Sequence, residues 1–263
     1  MRLSPLVAAC AVSLPLLSGT ADANAYPIKD RVLTHNKLYR AGKLKPAACM
    51  VKVMNQHFDP PVSKTYGRAV LDCLNAAWAA YAKRARLPFA KARVAFATKE
   101  PRRFCGSSWP DRAGGVYCPS ERRFMMLVSE VSIDEPWGLH FLSTLTHEYG
   151  HHIQQISGII RADQYHPYRG KSELNEQAHR LELQAECLSG VLFKSMWPAL
   201  NSSETEWESL VDRTRAGAEY LERTYKTNTH GKGRNLEYWL RRGFQTGNPA
   251  SCNTWVAPSA KVA

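Results

Sequence analysis

The stretch EPWGLHFLSTLTHEYGHHIQQIS, residues 135–157, decides how this chain folds. Its apolar residues recur every three or four positions, which is the period of an amphipathic α-helix. These residues are Leu139, Leu142, Leu145, Tyr149, Ile153 and Ile156. Asp134 followed by Pro136 is typical of a helix start, and Gly158 is typical of a helix end. The sequence therefore predicts a helix over residues 135–157 that carries its polar side chains, two histidines among them, on another side.

An H-E-x-x-H motif lies within this helix, at His147-Glu148-Tyr149-Gly150-His151. Because residues four apart share a helix face, His147 and His151 can bind one Zn²⁺ through their imidazole nitrogens. Glu148 then projects beside the metal, where it can hold a water molecule and act as its general base. His152 is a competing ligand, but it lies about 100° around the helix from His151, which favours a packing role. The motif thus predicts a catalytic zinc site.

A catalytic zinc needs a third protein ligand and an open position for water. The next predicted helix contains Glu182 and Glu186, one turn apart on one face. We assign Glu182 as the metal ligand and Glu186 as the acceptor for the free ring N–H of a histidine ligand. The alternative is that both are surface glutamates of an ordinary helix, and His166 and His179 are competing ligands. Apolar neighbours indicate a buried helix, which favours the zinc assignment.

The rest of the pattern predicts an α+β fold with a small sheet, the active-site helix and further helices after it. Helical spacing predicts a helix over residues 69–82, and compact apolar runs predict short strands over residues 94–97 and 124–128. The second strand is either an edge strand for an extended peptide or an ordinary core strand. Residues 99–118, rich in Gly, Pro, Ser and Arg, are expected to form a loop.

Three helices are expected after the active-site helix. The first covers residues 172–196, with Pro198 just past its end. A capping-box pattern at Ser203 starts the second, which runs to about residue 224. A short helix through Tyr238 and Trp239 is the third.

The composition is that of one ordinary globular domain: 263 residues, 44% of them hydrophobic and 22% charged. We predict a signal peptide at residues 1–25, an N-terminal arm and helix at 26–90, a catalytic core at 91–255 and a disordered tail at 256–263. The first part of the arm, residues 26–46, is polar and is expected to pack loosely.

The N-terminal segment indicates export. Arg2 precedes an apolar stretch over residues 3–17, and Ala23-Asn24-Ala25 offers a signal-peptidase site. An uncleaved anchor and a lipoprotein-type cleavage are the alternatives. We expect a secreted or periplasmic protein.

Six cysteines follow the predicted signal peptide, and an even number in an exported chain predicts disulfides. They are Cys49, Cys73, Cys105, Cys118, Cys187 and Cys252. Cys105 and Cys118 flank a turn-rich stretch, so a local bridge between them is the first expectation.

A net charge of +12 bears on the partners of the protein. Beside a peptide or protein substrate, it favours an anionic cell-wall or membrane surface. A solvated basic surface without a partner is the alternative. The sequence contains no nucleic-acid-binding motif, so no nucleic acid is expected, and it does not indicate an oligomeric state.

Residues 147–154 (HEYGHHIQ) and 180–191 (RLELQAECLSGV) resemble the bacterial neutral zinc metallopeptidase family. The resemblance extends to the CG and VYCP segments at 105–106 and 116–119, and to the THG segment at 229–231. It continues to the end of the GNPASCNTW segment, and it covers the chain from about residue 100 onward.

The resemblance implies a zincin-like fold for the core, with Glu182 as the third zinc ligand. It also implies a bridge between Cys105 and Cys118 and another between Cys187 and Cys252. One departure from the family pattern is Glu186, where an aspartate is usual.

His230 belongs to the THG segment of that resemblance. A donor beyond the zinc can stabilise the oxyanion of a peptidase, so His230 is a candidate oxyanion donor or substrate-binding residue. A structural hydrogen-bonding histidine is the alternative.

Together these patterns predict an exported zinc metallopeptidase that hydrolyses peptide bonds through a zinc-activated water, with Glu148 as general base. Two alternatives remain. One is a catalytically inactive zinc-binding protein of the cell envelope, and the other is an amidase acting on cell-wall peptides.

Overall fold

The computed structural model describes residues 28–47, 60–128 and 138–263. The described helices are α1 (Arg31–Thr34), α2 (Pro60–Ala85), α3 (Leu139–Ile156), α4 (Ile159–Gln164), α5 (Lys171–Leu200), α6 (Glu204–Tyr225) and α7 (Gly233–Thr246). The described strands are β1 (Arg93–Ala97), β2 (Arg103–Phe104), β3 (Ser107–Ser108), β4 (Gly115–Cys118) and β5 (Arg123–Leu127). The predicted α+β class is confirmed. The predicted signal peptide, Cys49 and the predicted helix start at Asp134 and Pro136 lie outside the described residues.

The main sheet has three strands in the order β1-β5-β4, with β1 parallel and β4 antiparallel to β5. Phe124 of β5 is fully buried and faces Val94 on one side and Tyr117 on the other. β5 (Arg123–Leu127) is therefore the central strand, which confirms the core-strand alternative and shows that the edge-strand alternative is wrong.

The strand at the edge of the sheet, beside α3, is β4. Its four residues lie in the stretch 99–118, which was expected to be a loop, and the short hairpin β2–β3 lies there as well. That expectation is wrong in part. A strand of only four residues that starts with Gly115, directly after turn residues, is too short to be recognised in the sequence pattern. Within the described part of the chain, β4 pairs on one side only.

The active-site helix is α3, and its residues fall within the predicted helix, whose first residues lie outside the described part of the chain. It begins after Gly138, whose φ of 60° lies in the left-handed region that glycine adopts readily. Leu142, Leu145, Tyr149 and Ile153 are fully buried along one side of the helix. That side packs against the sheet and the neighbouring helices, so the opposite histidines are directed at α5.

The longest helix, α5, continues to Leu200 and contains Pro198 within its last turn. The expectation that Pro198 lies past the helix end is wrong, because proline at this point removes only one hydrogen bond near a terminus. The next helix, α6, begins with the predicted capping box, in which Ser203 and Glu206 satisfy each other's backbone N–H groups.

Two glycines let α5 and α7 pack at very short range. A Cβ atom on Gly190 would lie 2.2 Å from the carbonyl oxygen of Leu240. A Cβ atom on Gly243 would lie 1.9 Å from the carbonyl oxygen of Cys187. No larger residue fits at either position while the helices stay where they are, so this pair of helices is a tightly packed unit behind the site.

The N-terminal arm is part of the core. Leu33 and Leu38 are fully buried, and the hydroxyl of Tyr81 on α2 donates a hydrogen bond of 2.7 Å to the carbonyl of Leu38. The expectation of a loosely packed arm is wrong, because a few apolar side chains dock an otherwise polar segment.

The C-terminal residues are ordered too. Arg180 of α5 is 1% exposed and donates hydrogen bonds to the carbonyls of Thr254 and Ala257. Val262 is fully buried, and Trp239 of α7 donates to the carbonyl of Lys261 at 2.8 Å. The predicted disordered tail at 256–263 is therefore wrong.

Disulfides join Cys105 to Cys118 and Cys187 to Cys252. Cys73 on α2 is also disulfide-bonded. The first bridge ties the hairpin segment to β4, and the second ties α5 to the turn after α7. No helix in the ranges 28–47, 60–128 and 138–263 has the length and apolar character needed to cross a membrane.

Candidate metal centre

Two helices bring the predicted ligands together. His147 and His151 lie one turn apart on α3, with their ring centroids 4.9 Å apart. The Nε2 atom of each lies 3.3 Å from Oε2 of Glu182 on α5. The site is mostly enclosed, since the side chains of His147 and His151 are 12% and 13% exposed.

The close approach of α3 and α5 depends on Gly150. A Cβ atom at this position would lie 2.7 Å from the carbonyl oxygen of Ala185 and 3.0 Å from its Cα atom. Gly150 lies between the two histidines of α3, and Ala185 lies between Glu182 and Glu186 of α5. The glycine therefore sets the helix separation at the point where the ligands meet.

A third histidine reaches the same point. His230, in the loop between α6 and α7, places its Nε2 atom 3.3 Å from Oε2 of Glu182. The ligand atoms of His147, Glu182 and His230 all lie within 4.8 Å of one another. The structure thus brings all of the predicted ligands and His230 together.

The positions of these ligand atoms suit the binding of one metal ion better than hydrogen bonding among themselves. The buried Nε2 atom of His147 and Oε2 atom of Glu182 have no hydrogen-bond partner. Leaving such groups unpaired is costly unless an ion binds them. Zinc bonds of about 2.0–2.1 Å in tetrahedral geometry separate two ligand atoms by about 3.3–3.4 Å. The 3.3 Å separation between Oε2 of Glu182 and each of the three Nε2 atoms equals one such ligand–ligand distance.

Each histidine has its other ring nitrogen engaged. Nδ1 of His147 lies 2.9 Å from Oε2 of Glu186, and Nδ1 of His151 lies 2.9 Å from Oε1 of Gln154. With Nδ1–H donating to these oxygens, the Nε2 lone pair is directed at the centre. The structure therefore places Glu186 where it was predicted, despite the departure from the family's aspartate.

Gln154 is a residue that sequence reasoning missed. Its amide nitrogen donates to the carbonyl of Leu181 at 2.7 Å and to Oε1 of Gln184 at 3.1 Å. These bonds hold the amide oxygen toward His151. The available signal was its position three residues after His151, on the same face of the helix.

The charge at the centre is set by Glu182. Burial alone would raise the pKa of this carboxyl, but the imidazoles of His151, His230 and His147 outweigh burial and hold the pKa well below its ordinary value. Glu182 is therefore ionised, as a metal-binding carboxylate must be.

Glu148 is buried between the centre and the edge strand. A Cβ atom on Gly115 of β4 would lie 2.9 Å from Cγ of Glu148 and 3.2 Å from its Oε1 atom, so the strand makes room for this side chain. Burial raises the pKa of the Glu148 carboxyl, and the imidazoles of His151 and His147 offset this only in part. A carboxyl with a raised pKa accepts a proton more readily near neutral pH.

A cavity of about 670 Å³ opens in front of these groups. Its lining residues come from the start of β4, from α3, from α6 and from residues 227–231. Gly114, Gly115, Gly217 and Ala218 are among its lining residues, so much of the wall is small side chains. A volume of this size lies within the range of small-molecule and cofactor pockets in proteins.

The competing histidines have structural contacts. His152 is fully buried, with Nδ1 3.0 Å from the hydroxyl of Tyr117 and Nε2 2.8 Å from the carbonyl of Ala90. Nε2 of His179 lies 2.6 Å from the carbonyl oxygen of Asn228. The group of candidate ligand atoms found among the described residues contains His147, Glu182 and His230, whereas His151, His152, His166 and His179 lie outside it.

The fold and site define an α+β protein in which an H-E-x-x-H helix, a carboxylate of the long helix α5 and a loop histidine form a group that could bind a metal ion. The chain belongs to the family described as "Putative neutral zinc metallopeptidase", whose model matches residues 54–255.

Curated relatives are similar over about half of the chain. "Uncharacterized protein YpfJ" of Escherichia coli (strain K12) is 29% identical over 158 residues, which are 54% of each chain. "Uncharacterized protein Rv2575" of Mycobacterium tuberculosis (strain ATCC 25618 / H37Rv) is 28% identical over 179 residues, or 58% of each chain. This chain thus spans about half the length of the curated relatives that it matches. No solved structure matches it.

Proposed function

We propose that this protein is an exported zinc-dependent metallopeptidase that hydrolyses peptide bonds. One observation carries the proposal: the Nε2 atoms of His147 and His151 converge on Glu182 at 3.3 Å, with Glu148 beside them at the wall of the cavity. A purely structural zinc site has no need of a base beside it. The family to which the chain belongs supports the same conclusion.

His147, His151 and Glu182 would hold the ion. When bound, zinc lowers the pKa of a water molecule and polarises a carbonyl group. Glu148 takes the proton of the attacking water and passes it to the leaving amine. Glu186 keeps the ring of His147 oriented during these steps, as Gln154 does for His151.

The edge strand offers a place for the substrate. The start of β4 lines the cavity next to Glu148, and β4 pairs only with β5 among the described strands. An extended peptide can add to such an edge through backbone hydrogen bonds, which suits cleavage of varied sequences.

Export is part of the proposal. The signal-type sequence at residues 1–25 and the disulfides Cys105–Cys118 and Cys187–Cys252 support a secreted or periplasmic location. The net charge of +12 supports attraction to an anionic wall or membrane surface.

The deciding experiment compares peptide cleavage by the wild type with cleavage by Glu148→Gln, after the zinc content of each has been measured. We expect equal zinc content and a fall in kcat of about 10²–10⁴-fold, the contribution of a positioned acid or base. The matched control is Glu100→Gln, which changes the same residue type at an exposed position outside the site. Cleavage by Glu148→Gln at the wild-type rate would refute the proposal.

The substrate class is tested separately. Purified wild type is incubated with an unfolded protein and with purified cell wall, and the fragments are identified by mass spectrometry. Cleavage of the unfolded protein supports a peptidase, whereas release of wall peptides alone indicates the amidase. A protein that binds zinc and cleaves neither is the inactive zinc-binding alternative.

A further inference from the structure

We propose that His230 is a fourth ligand of the metal in the resting protein, so that the centre is closed until the loop carrying His230 moves away. This inference rests on the proposed function, because it concerns the same ion. It adds a regulatory device: the substrate or another event in the cavity must release His230 before the zinc can act.

The first argument is distance. An oxyanion donor lies about 2.7–3.1 Å from an oxygen that itself binds the metal, so it stands outside the coordination sphere. Nε2 of His230 lies instead 3.3 Å from Oε2 of Glu182, the same distance as the Nε2 atoms of His147 and His151. The ligand atoms of His147, Glu182 and His230 also lie within 4.8 Å of one another, so one ion can bind His230 together with the other two.

The second argument is ring orientation. Nδ1 of His230 lies 3.0 Å from the hydroxyl oxygen of Thr229, which leaves Nε2 for the centre. Nδ1 of His147 and of His151 are engaged in the same way, by Glu186 and Gln154. An outer partner at Nδ1 is the usual companion of a histidine that binds metal through Nε2.

The third argument is that His230 is the ligand able to leave. Its side chain is 51% exposed, against 12% and 13% for the histidines of α3. It belongs to a loop, whereas the other three ligands belong to packed helices. Gly231, the residue after His230, has a φ of 85°, a conformation that favours glycine. The loop contacts α5 through His179, which lies within hydrogen-bond distance of the carbonyl of Asn228.

The position of the loop couples release to the substrate. Residues 227–231 line the cavity, so a peptide bound there can contact the segment that carries His230. Displacement of His230 would open one corner of the centre for water. The freed Nε2 atom can then take up a proton from solvent, and the resulting imidazolium can donate to the oxyanion of the reaction.

The test measures the metal in the absence of substrate. Metal-free wild type and His230→Ala are titrated with Zn²⁺ against a chelating dye, and each is then loaded with Co²⁺ for visible absorption spectroscopy. We expect the zinc Kd of His230→Ala to rise at least about tenfold and its cobalt spectrum to change, since one nitrogen ligand is replaced by water. Far-UV circular dichroism checks that each variant is folded.

Two controls separate the possible failures. His35→Ala, the same substitution at an exposed histidine outside the site, should keep the wild-type Kd and cobalt spectrum. His147→Ala should lose metal. If wild type and His147→Ala bind zinc equally, the proposed function itself fails. If His147→Ala loses metal but His230→Ala keeps the wild-type Kd and cobalt spectrum while kcat falls about 10²–10³-fold, His230 is only an oxyanion donor and the fourth-ligand proposal is overturned.

Discussion

Gly150→Ala should weaken metal binding without touching a ligand. The new Cβ atom would lie 2.7 Å from the carbonyl oxygen of Ala185, which is closer than real side chains approach. The new Cβ atom is fixed to the backbone of α3, and the carbonyl oxygen belongs to the backbone of α5. Neither atom can therefore move away through a side-chain rotation. The helices α3 and α5 must therefore separate by several tenths of an ångström at the point that holds the centre.

The magnitude follows from two opposing effects. Overpacking of a tight contact costs about 1–3 kcal/mol in the free energy of unfolding, and replacing glycine by alanine in a helix returns up to about 1 kcal/mol. We expect a net destabilisation of about 1–2 kcal/mol. Catalytic and metal sites tolerate shifts of only about 0.5 Å, so the zinc Kd should rise about tenfold or more as Glu182 and Glu186 move with α5.

The measurements are urea unfolding of the metal-free protein and competitive zinc titration. Gly217→Ala is the matched control, because Gly217 lies within helix α6 and a Cβ atom there meets nothing within 4 Å. That variant should be up to about 1 kcal/mol more stable than wild type, with an unchanged zinc Kd. If Gly150→Ala behaves like Gly217→Ala in both measurements, the close contact does not position the site.

Three further predictions concern single side chains. Arg180→Ala leaves buried carbonyl and carboxylate partners unpaired and should cost about 3–5 kcal/mol in urea unfolding, whereas Arg215→Ala, at a half-exposed ion pair, should cost less than about 1 kcal/mol. Burial and a neighbouring carboxylate on α5 raise the pKa of Asp163 from 3.8 to about 7. The pKa of Asp163 is thus higher in the folded state than in the unfolded state. The stability that the protonated carboxyl provides is complete below pH 3.8 and is lost as the pH rises to about 7. Metal-free Asp163→Asn should therefore be more stable than wild type at pH 8 but not at pH 4, and equal urea midpoints at pH 8 would contradict this. Glu186→Ala removes the acceptor of His147 Nδ1–H and should raise the zinc Kd about 10–100-fold, measured by the same titration, while an unchanged Kd would show that the ring needs no such partner.

The helical part of the site could be predicted from sequence because its geometry is local. A spacing of four residues fixes the relative positions of His147 and His151 once the helix forms. The same spacing places Glu182 and Glu186 on one face of α5. Only the meeting of the two helices is non-local. The paired glutamates on a buried helix indicated it, and the resemblance to a known family implied it as well.

The sheet could not be predicted to the same degree. The order β1-β5-β4 depends on pairing between segments that are distant in sequence, and periodicity does not reveal which strand becomes central. A four-residue strand that starts with Gly115 offers too little pattern to stand out from a turn-rich loop. The predictions for the N-terminal arm and the C-terminal tail were wrong for a related reason. Single buried side chains such as Leu33 and Val262 anchor segments whose average composition is polar.

The position of His230 lies at the limit of sequence reasoning, and the physical reason also bears on function. Periodicity predicts which residues share a helix face, but a loop has no period, so its side chains are located only by the tertiary structure. Ligands on packed helices are held by many contacts and cannot leave one at a time without loss of packing. A ligand on a loop is restrained by few contacts and can exchange at low cost. If one donor of this centre is replaced by water when the substrate arrives, it should therefore be the histidine that the sequence pattern could not place.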